Sequence, residues 1–402
     1  MPTFKYKVMN QQGQKSEGLY KANSKNEVLA MIEDNNYYPI EIKETLAREQ
    51  KDVFESFSKV KTKDLYIFCR QFHTMINAGA NISNALNVLR KQTENKKLQK
   101  TLSEAHDDVQ KGISLSVALG KHNDVFPDLL INMINTGEVS GNLDVIMSRM
   151  ATHFEKENKI NNQLKSAMVY PTVLGCLSIV VVIFLLTFIM PTFTGMFVGT
   201  GVPLPGPTKI VMGLSEFIRT KWYILIAVIG GGIYGMRTYA KTPVGKLAID
   251  GLKLKIPIIK DTTEKVIVSR FTRTLSTVLA SGVSLVQALE VVQKVVGNKV
   301  AEKSLEKIKD KLLKGVSLGE AIGDESLFPE MLHSMIKIGE ESGALDDILD
   351  KTANFYDEEL ESSLKRLTTM IEPLMIIVMG VVIGFIVIAM MMPMFEMTKT
   401  IQ

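Results

Sequence analysis

The chain contains a second version of itself. Gly137-Glu138-Val139-Ser140-Gly141-Asn142-Leu143 returns as Gly339-Glu340-Glu341-Ser342-Gly343-Ala344-Leu345, at an offset of 339 − 137 = 202. Each version continues through an amphipathic run into a long apolar segment. That segment is bracketed by Pro171 and Pro191 in the first copy and by Pro373 and Pro393 in the second, at the same offset. Duplication on this scale means one structural unit built twice, each delivering a helix to a bilayer.

The helix punctuation repeats with it. Arg70, Gly79 and Leu86 return as Arg273, Gly282 and Leu289, and Lys111-Gly112-Ile113-Ser114-Leu115 as Lys314-Gly315-Val316-Ser317-Leu318. Phe126-Pro127 returns as Phe328-Pro329. Thr62 opens a helix whose inward face is Leu65, Phe68, Phe72, Met75 and Ile76, closed at Ala78-Gly79 where glycine tolerates a left-handed residue. Further helices cover Leu86 and Leu89, then Leu98–Val109, and one opening at Phe126-Pro127 is expected to end at Gly137. Ser140 then caps the longest, with Leu143, Ile146, Met150, Phe154, Leu164 and Met168 on one stripe. The predicted fold class is mainly α: an integral membrane protein with homologous helical bundles at 62–170 and 241–372.

Upstream, Phe4, Tyr6 and Val8 alternate with lysines as a half-buried strand does, and Gln12-Gly13 supplies a turn. Gly18–Ala22 reads as a second strand, Ser24 to Glu27 as a capping box, and Tyr37 to Ile42 as a returning strand. Residues 1–45 are expected to form a small α/β module and 46–61 a linker. The start lacks the apolar core of a cleaved signal peptide, so this part should stay in the cytoplasm.

Three segments approach the roughly 20 residues that cross a bilayer: 171–190, 222–240 and 373–393. They leave 191–221 as a short external loop and 394–402 as a short external tail. Lys156, Lys159 and Lys165 precede the first span, Arg237, Lys241, Lys246, Lys253 and Lys255 follow the second, and Lys365 and Arg366 precede the third. The other side carries only Lys209, Arg219, Lys221 and Lys399, so both bundles are expected inside. Parallel repeats with one exit span each require a return stroke, which the middle span provides. No ionisable residue lies between Pro171 and Thr208 or between Pro373 and Phe395, which argues against an ion-translocating transporter.

A net charge of +4 on 402 residues, without basic runs among aromatics, gives no reason to expect nucleic acid. Cys69 and Cys176 make no disulfide framework, and the five histidines have no metal-ligand spacing. Gly245-Lys246 lacks the rest of a phosphate loop, and no nucleophile elbow is present, so neither a catalytic site nor a cofactor or metal is expected. A membrane-bound signalling enzyme finds no motif to stand on. Gly231 and Gly235, and Gly380 and Gly384, would permit close helix approach in lipid. Glu138 and Glu340 are the least ordinary residues. Each follows the glycine expected to end a helix, where the dipole disfavours an acid, so structure and partner contact compete as explanations.

Taken together, these features resemble the polytopic inner-membrane platform proteins of type IV pilus assembly and type II secretion, the secretion F family. The resemblance spans essentially the whole length. Its most diagnostic piece runs from Gln163-Leu164 through Tyr170-Pro171 to Ile189-Met190-Pro191; Glu372-Pro373 replaces Tyr170-Pro171 in the second copy. It implies a non-enzymatic platform coupling a cytoplasmic hexameric assembly or retraction ATPase to insertion or removal of pilin or pseudopilin subunits. It also implies other inner-membrane assembly proteins as partners, a homo-oligomer, and a multi-pass protein with most of its mass in the cytoplasm. Gly137, Glu138, Ser140, Gly141 and Leu143, with Gly339, Glu340, Ser342, Gly343 and Leu345, are then candidate partner-contact or hinge positions.

Overall fold

The computed structural model of the chain describes residues 3–9, 15–22, 24–34, 37–45, 59–197 and 204–400. The expected turn at Gln12-Gly13, most of the expected linker and the tip of the expected external loop lie outside the described residues. At the start, β1 (Thr3–Met9) is the middle strand of an antiparallel sheet between β2 (Lys15–Lys21) and β3 (Tyr38–Thr45). Alternation sends Phe4 and Val8 to one face, where they meet Val28 and Ile32 of α1 (Lys25–Asp34).

The first repeat comprises α2 (Thr62–Asn77), α3 (Ile82–Gln92), α4 (Lys96–Gln110), α5 (Leu115–Gly120), α6 (Asp128–Ser140) and α7 (Leu143–Phe184). Its starts are set by side chains: Asn81 accepts from the Asn84 amide, and Asn95 from the amides of Lys97 and Leu98. At α2 the cap position belongs to Lys61 rather than Thr62, and the Asp64 carboxylate accepts the Lys61 amide at 2.9 Å. Phe68, Phe72, Leu86, Leu102, Phe126 and Leu130 are buried among these helices.

The second repeat follows the same plan with α11 (Pro257–Leu279), α12 (Leu285–Val295), α13 (Lys299–Leu313), α14 (Leu318–Gly323), α15 (Glu330–Ser342) and α16 (Leu345–Thr400). Asn298 caps α13 as Asn95 caps α4. Between the repeats lie α8 (Met190–Phe197), α9 (Gly206–Lys241) and α10 (Pro243–Lys253). Buried apolar residues of both repeats form one continuous cluster.

Among the described residues two helical stretches are long and apolar enough to cross a membrane, Leu143–Phe193 and Leu345–Phe395, and the expected span at 222–240 is not one of them. The prolines expected to bracket them sit within helix instead: Pro171 inside α7, and Pro373 and Pro393 inside α16. Before Pro191 the backbone widens into a π-helical turn, Leu185–Ile189, and α8 then continues the helix. A proline donates no hydrogen bond, so a carbonyl one turn back is left without its usual partner. Helix α9 supplies substitutes. The Ser215 hydroxyl donates to the Leu186 carbonyl, and the Thr208 hydroxyl to the Ala389 carbonyl, four residues before Pro393, at 2.6 Å. Thr208, Val211 and Ser215 share one buried face of α9. The helix kinks at Lys221 and then presents an apolar surface to the outside, with Val228 and Tyr234 exposed by 68 % and 75 %.

Because an unsatisfied carbonyl in an apolar setting costs about 1–3 kcal/mol, Ser215→Ala and Thr208→Val should each lower the unfolding midpoint of the detergent-purified protein. Thr220→Val should leave it unchanged, since that exposed hydroxyl bonds only its own helix at Glu216. Equal midpoints for all three variants would show that the two buried hydroxyls do not hold the proline turns.

Candidate functional site

The repeated motif forms the corner where each bundle turns into its long helix. Gly137 does not end α6; it lies within it, and α6 runs on to Ser140. A Cβ at 137 would stand 3.1 Å from the Leu143 Cα and 3.0 Å from Ile146 Cγ1, and one at 339 would stand 3.0 Å from the Leu345 Cα. Both positions are therefore glycine so that the two arms of the corner can touch. The helices are closed instead by Gly141 and Gly343, at φ 74° and 68°, a left-handed conformation that side chains resist. Ser140 and Ser342 are the final residues of α6 and α15 rather than caps of the next helix, and Leu143 and Leu345 begin α7 and α16.

The glutamates turn back into their own bundles. Glu138 accepts from the Leu115 amide at 2.5 Å and the Ser116 amide at 3.0 Å, with the Ser116 hydroxyl also donating to it. Glu340 accepts from the Leu318 and Gly319 amides at 2.7 Å and 2.8 Å. Each carboxylate thus caps the amino end of the short helix α5 or α14, where a negative charge meets the positive end of a dipole. Ser114, at the cap position of α5, makes no such bond with its side chain. The unfavourable placement on α6 and α15 is offset by a favourable one on the neighbouring helix. The corner is consequently stiff: short helix, preceding helix and long helix are tied at one point.

From each corner a single helix leads onward, about 63 Å for α7 and 84 Å for α16 at roughly 1.5 Å per residue. The two lie against each other. Ile160 is buried against Leu360 and Leu364, Gln163 donates to Glu361 at 2.8 Å, and the Tyr170 hydroxyl donates to Glu372 at 3.1 Å. Above this contact, Arg270 of α11 reaches Glu157 of α7 at 2.7 Å, and Arg149 of α7 donates to the Ala280 carbonyl. Arg273 joins Asp357 at 2.6 Å and Asp350 at 2.9 Å. The same pair exists in the first repeat as Arg70 with Glu155 at 2.7 Å, but on the surface. The sequence reading missed these pairs, although the acids as well as the arginines recur at the repeat offset.

His153 sits in the seam, fully buried, with its Nδ1 unpartnered among the described residues. Burial lowers its pKa to about 4, and nearby Arg273 and Arg270 act in the same direction against Glu157. The second repeat carries Phe355 at the matching position. Burial also pushes the Cys69 thiol upward, leaving it protonated and inert.

Two stretches of the chain, 68–191 and 271–393, match the family model described as type II secretion system protein F, and residues 1–43 match the N-terminal domain of the same family. The chain belongs to the type II secretion system protein F family. The matched stretches are the two repeats, and α9, α10 and the start of α11 fall between them. Family relatives include a type IV pilus assembly protein PilC from Thermus thermophilus, 37 % identical over all of both chains. Another protein of that name, from Myxococcus xanthus, is 32 % identical, covering 99 % of this chain and 96 % of its own. A type II secretion system protein F from Vibrio cholerae is 29 % identical over 99 % of each.

Two outcomes check this corner and seam. Glu138→Ala and Glu340→Ala each leave two amides of a helix start uncapped and should cost about 1–2 kcal/mol of stability, with Glu→Gln costing less. Loss of function in either alanine variant at an unchanged unfolding midpoint would point to a partner instead. For His153, the folded pKa lies below the unfolded value of 6.5, so its contribution is complete above 6.5 and is lost as pH falls toward about 4. His153→Phe should remove that acid sensitivity, about 3 kcal/mol between these limits. An identical pH profile for the two proteins would contradict it.

Proposed function

We propose that the chain is a non-enzymatic inner-membrane platform of a type IV pilus or type II secretion machine. In this role it couples a cytoplasmic hexameric ATPase to insertion or removal of pilin or pseudopilin subunits. The observation that carries the reading is mechanical: each bundle is tied at a capped corner to one unbroken helix that enters an apolar segment, and the two helices are locked side by side. Motion imparted to either bundle is delivered along α7 and α16 to membrane depth.

In this reading the chain crosses the membrane three times, at 171–190, 222–240 and 373–393, with both bundles and the N-terminal α/β module in the cytoplasm. The exposed apolar surface of α9 after its kink supports the middle crossing, and the lysine and arginine distribution supports the orientation. Neighbouring inner-membrane assembly proteins and further copies of the chain are the expected company in the bilayer.

The seam between the repeats is where transmission is tested. Arg270→Glu sets two carboxylates face to face at Glu157, and should abolish surface fibres or secreted substrate while the membrane level of the protein stays normal. The charge swap, Arg270→Glu with Glu157→Arg, should restore most of the yield. Full yield from the single reversal would show that the bundles need not be locked together for the machine to work.

A further inference from the structure

Just before the two apolar segments, a groove of about 530 Å³ opens between α7, α10, α11 and α16. Leu164 and Met168 line it from α7, Ile256 and Val266 from the α11 side, and Leu367 and Ile371 from α16. Leu164 and Met168 lie within two turns of Pro171, and Leu367 and Ile371 within two turns of Pro373, so the groove sits at the threshold of both segments. Helix α10 forms part of its edge. That helix exposes Val244 and Leu252, by 72 % and 57 %, together with Lys246 and Lys253, the pattern of a helix lying in a membrane interface.

Unpaired lysines beside the groove outnumber the one neighbouring acid without a cationic partner among the described residues, Glu372, which holds the Tyr170 hydroxyl. Asp250 at the rim is already occupied by the Lys299 amide at 3.0 Å and the Lys253 ammonium at 2.9 Å, and Glu157 by Arg270. Lys165, Lys255 and Lys365 are exposed and have no carboxylate partner among the described residues. Size decides what can enter. A helix about 10 Å across with a pitch of about 5.4 Å takes roughly 420 Å³ per turn, so the groove holds little more than one turn of a protein helix. An extended acyl chain is thin enough to run its length, with a negative headgroup at the lysine rim.

We propose that this groove binds one acyl chain of an anionic phospholipid from the cytoplasmic leaflet, with the phosphate held at Lys255, which unlike Lys253 has no carboxylate partner among the described residues. The inference rests on the membrane orientation proposed above. Because the walls come from both repeats, the bound chain lies beside the contact between α7 and α16 and braces it against α10 and α11.

The test is native mass spectrometry of the full-length protein in mild detergent, titrated with phosphatidylglycerol or phosphatidylcholine. The wild type should retain one phosphatidylglycerol per chain under conditions that strip phosphatidylcholine. Lys255→Ala should weaken retention about fivefold, the loss expected for one interfacial cation. Val266→Trp should fill the groove and exclude the lipid while leaving every cation in place, and Ile256→Trp at the lip does the same should the first variant fail to fold. Equal retention of the two lipids, or unchanged phosphatidylglycerol binding in both the lysine and the tryptophan variants, overturns the proposal. So does a photoreactive residue at Met168 that crosslinks to a protein helix instead of a lipid. Orientation is read separately, with an impermeant thiol reagent on intact cells carrying Lys209→Cys or Lys303→Cys and Cys176→Ser. Labelling at 209 and protection at 303 uphold the orientation, so that a failed lipid arm sinks the groove alone. The reverse pattern sinks both.

Discussion

The contact between α7 and α16 is the constraint on which the other elements depend, and its chemistry explains why the repeats are fused and unequal. Near the apolar segments, matching positions of the two copies meet: Lys159 lies 3.6 Å from Glu361, and Tyr170 donates to Glu372. Each pair is separated by the repeat offset, so a local two-fold axis runs between the helices. In a dimer of identical chains, a residue on such an axis faces itself, which would set lysine against lysine or glutamate against glutamate. Fusion into one chain frees each half to take the complementary residue. The replacement of Tyr170-Pro171 by Glu372-Pro373, a departure when the copies are only aligned, supplies an acceptor for Tyr170 once they are packed together.

Higher in the bundles that symmetry is broken on purpose of packing. Arg270 crosses from the second repeat to Glu157 of the first, but the matching positions, Ile67 and Glu359, make no return pair: Ile67 has no charge, and Glu359 turns to Lys265 within its own repeat at 3.0 Å. Arg273 with Asp357 is enclosed by the seam, whereas Arg70 with Glu155 faces solvent. Exposed pairs of this kind contribute about 0–1 kcal/mol, while separating a buried one costs several times more. Similar residues thus hold the molecule together in one repeat and decorate its surface in the other. The two bundles offer different faces to anything that approaches them.

Much of this was legible in the sequence where the signal was local or repeated. The doubled motif, the bundle helices, the apolar stripe on α7 and the closing role of glycine could all be read from spacing. What escaped depended on partners far along the chain. The acids at 138 and 340 looked misplaced because the amides they cap, at 115 and 318, belong to another helix. Gly137 and Gly339 looked like helix ends because glycine usually is one; only the close approach of Leu143 and Leu345 shows why it stands mid-helix. Prolines 171, 191, 373 and 393 looked like brackets because proline stops helices in water. Along an apolar helix, neighbouring hydroxyls and a π-helical turn can repair the break.

That repair gives α9 a place in the logic of the duplication. In the proposed three-span arrangement, two parallel copies, each ending in an apolar helix, leave the chain on the wrong side for the second copy to begin, so a connecting helix is needed whatever its sequence. Here the connector does more than return. On one buried face it carries Ser215 for the carbonyl at Leu186 and Thr208 for the carbonyl at Ala389, so each repeat's last proline is answered from the same helix. These hydroxyls lie outside the matched repeats. The π-helical turn after α7 and the Pro393 turn of α16 are therefore held relative to a third element, just as the beginnings of both helices are held by the capped corners. A long helix braced near both ends resists bending, and this is what joins the folding problem of the duplicated chain to the mechanical role proposed for it.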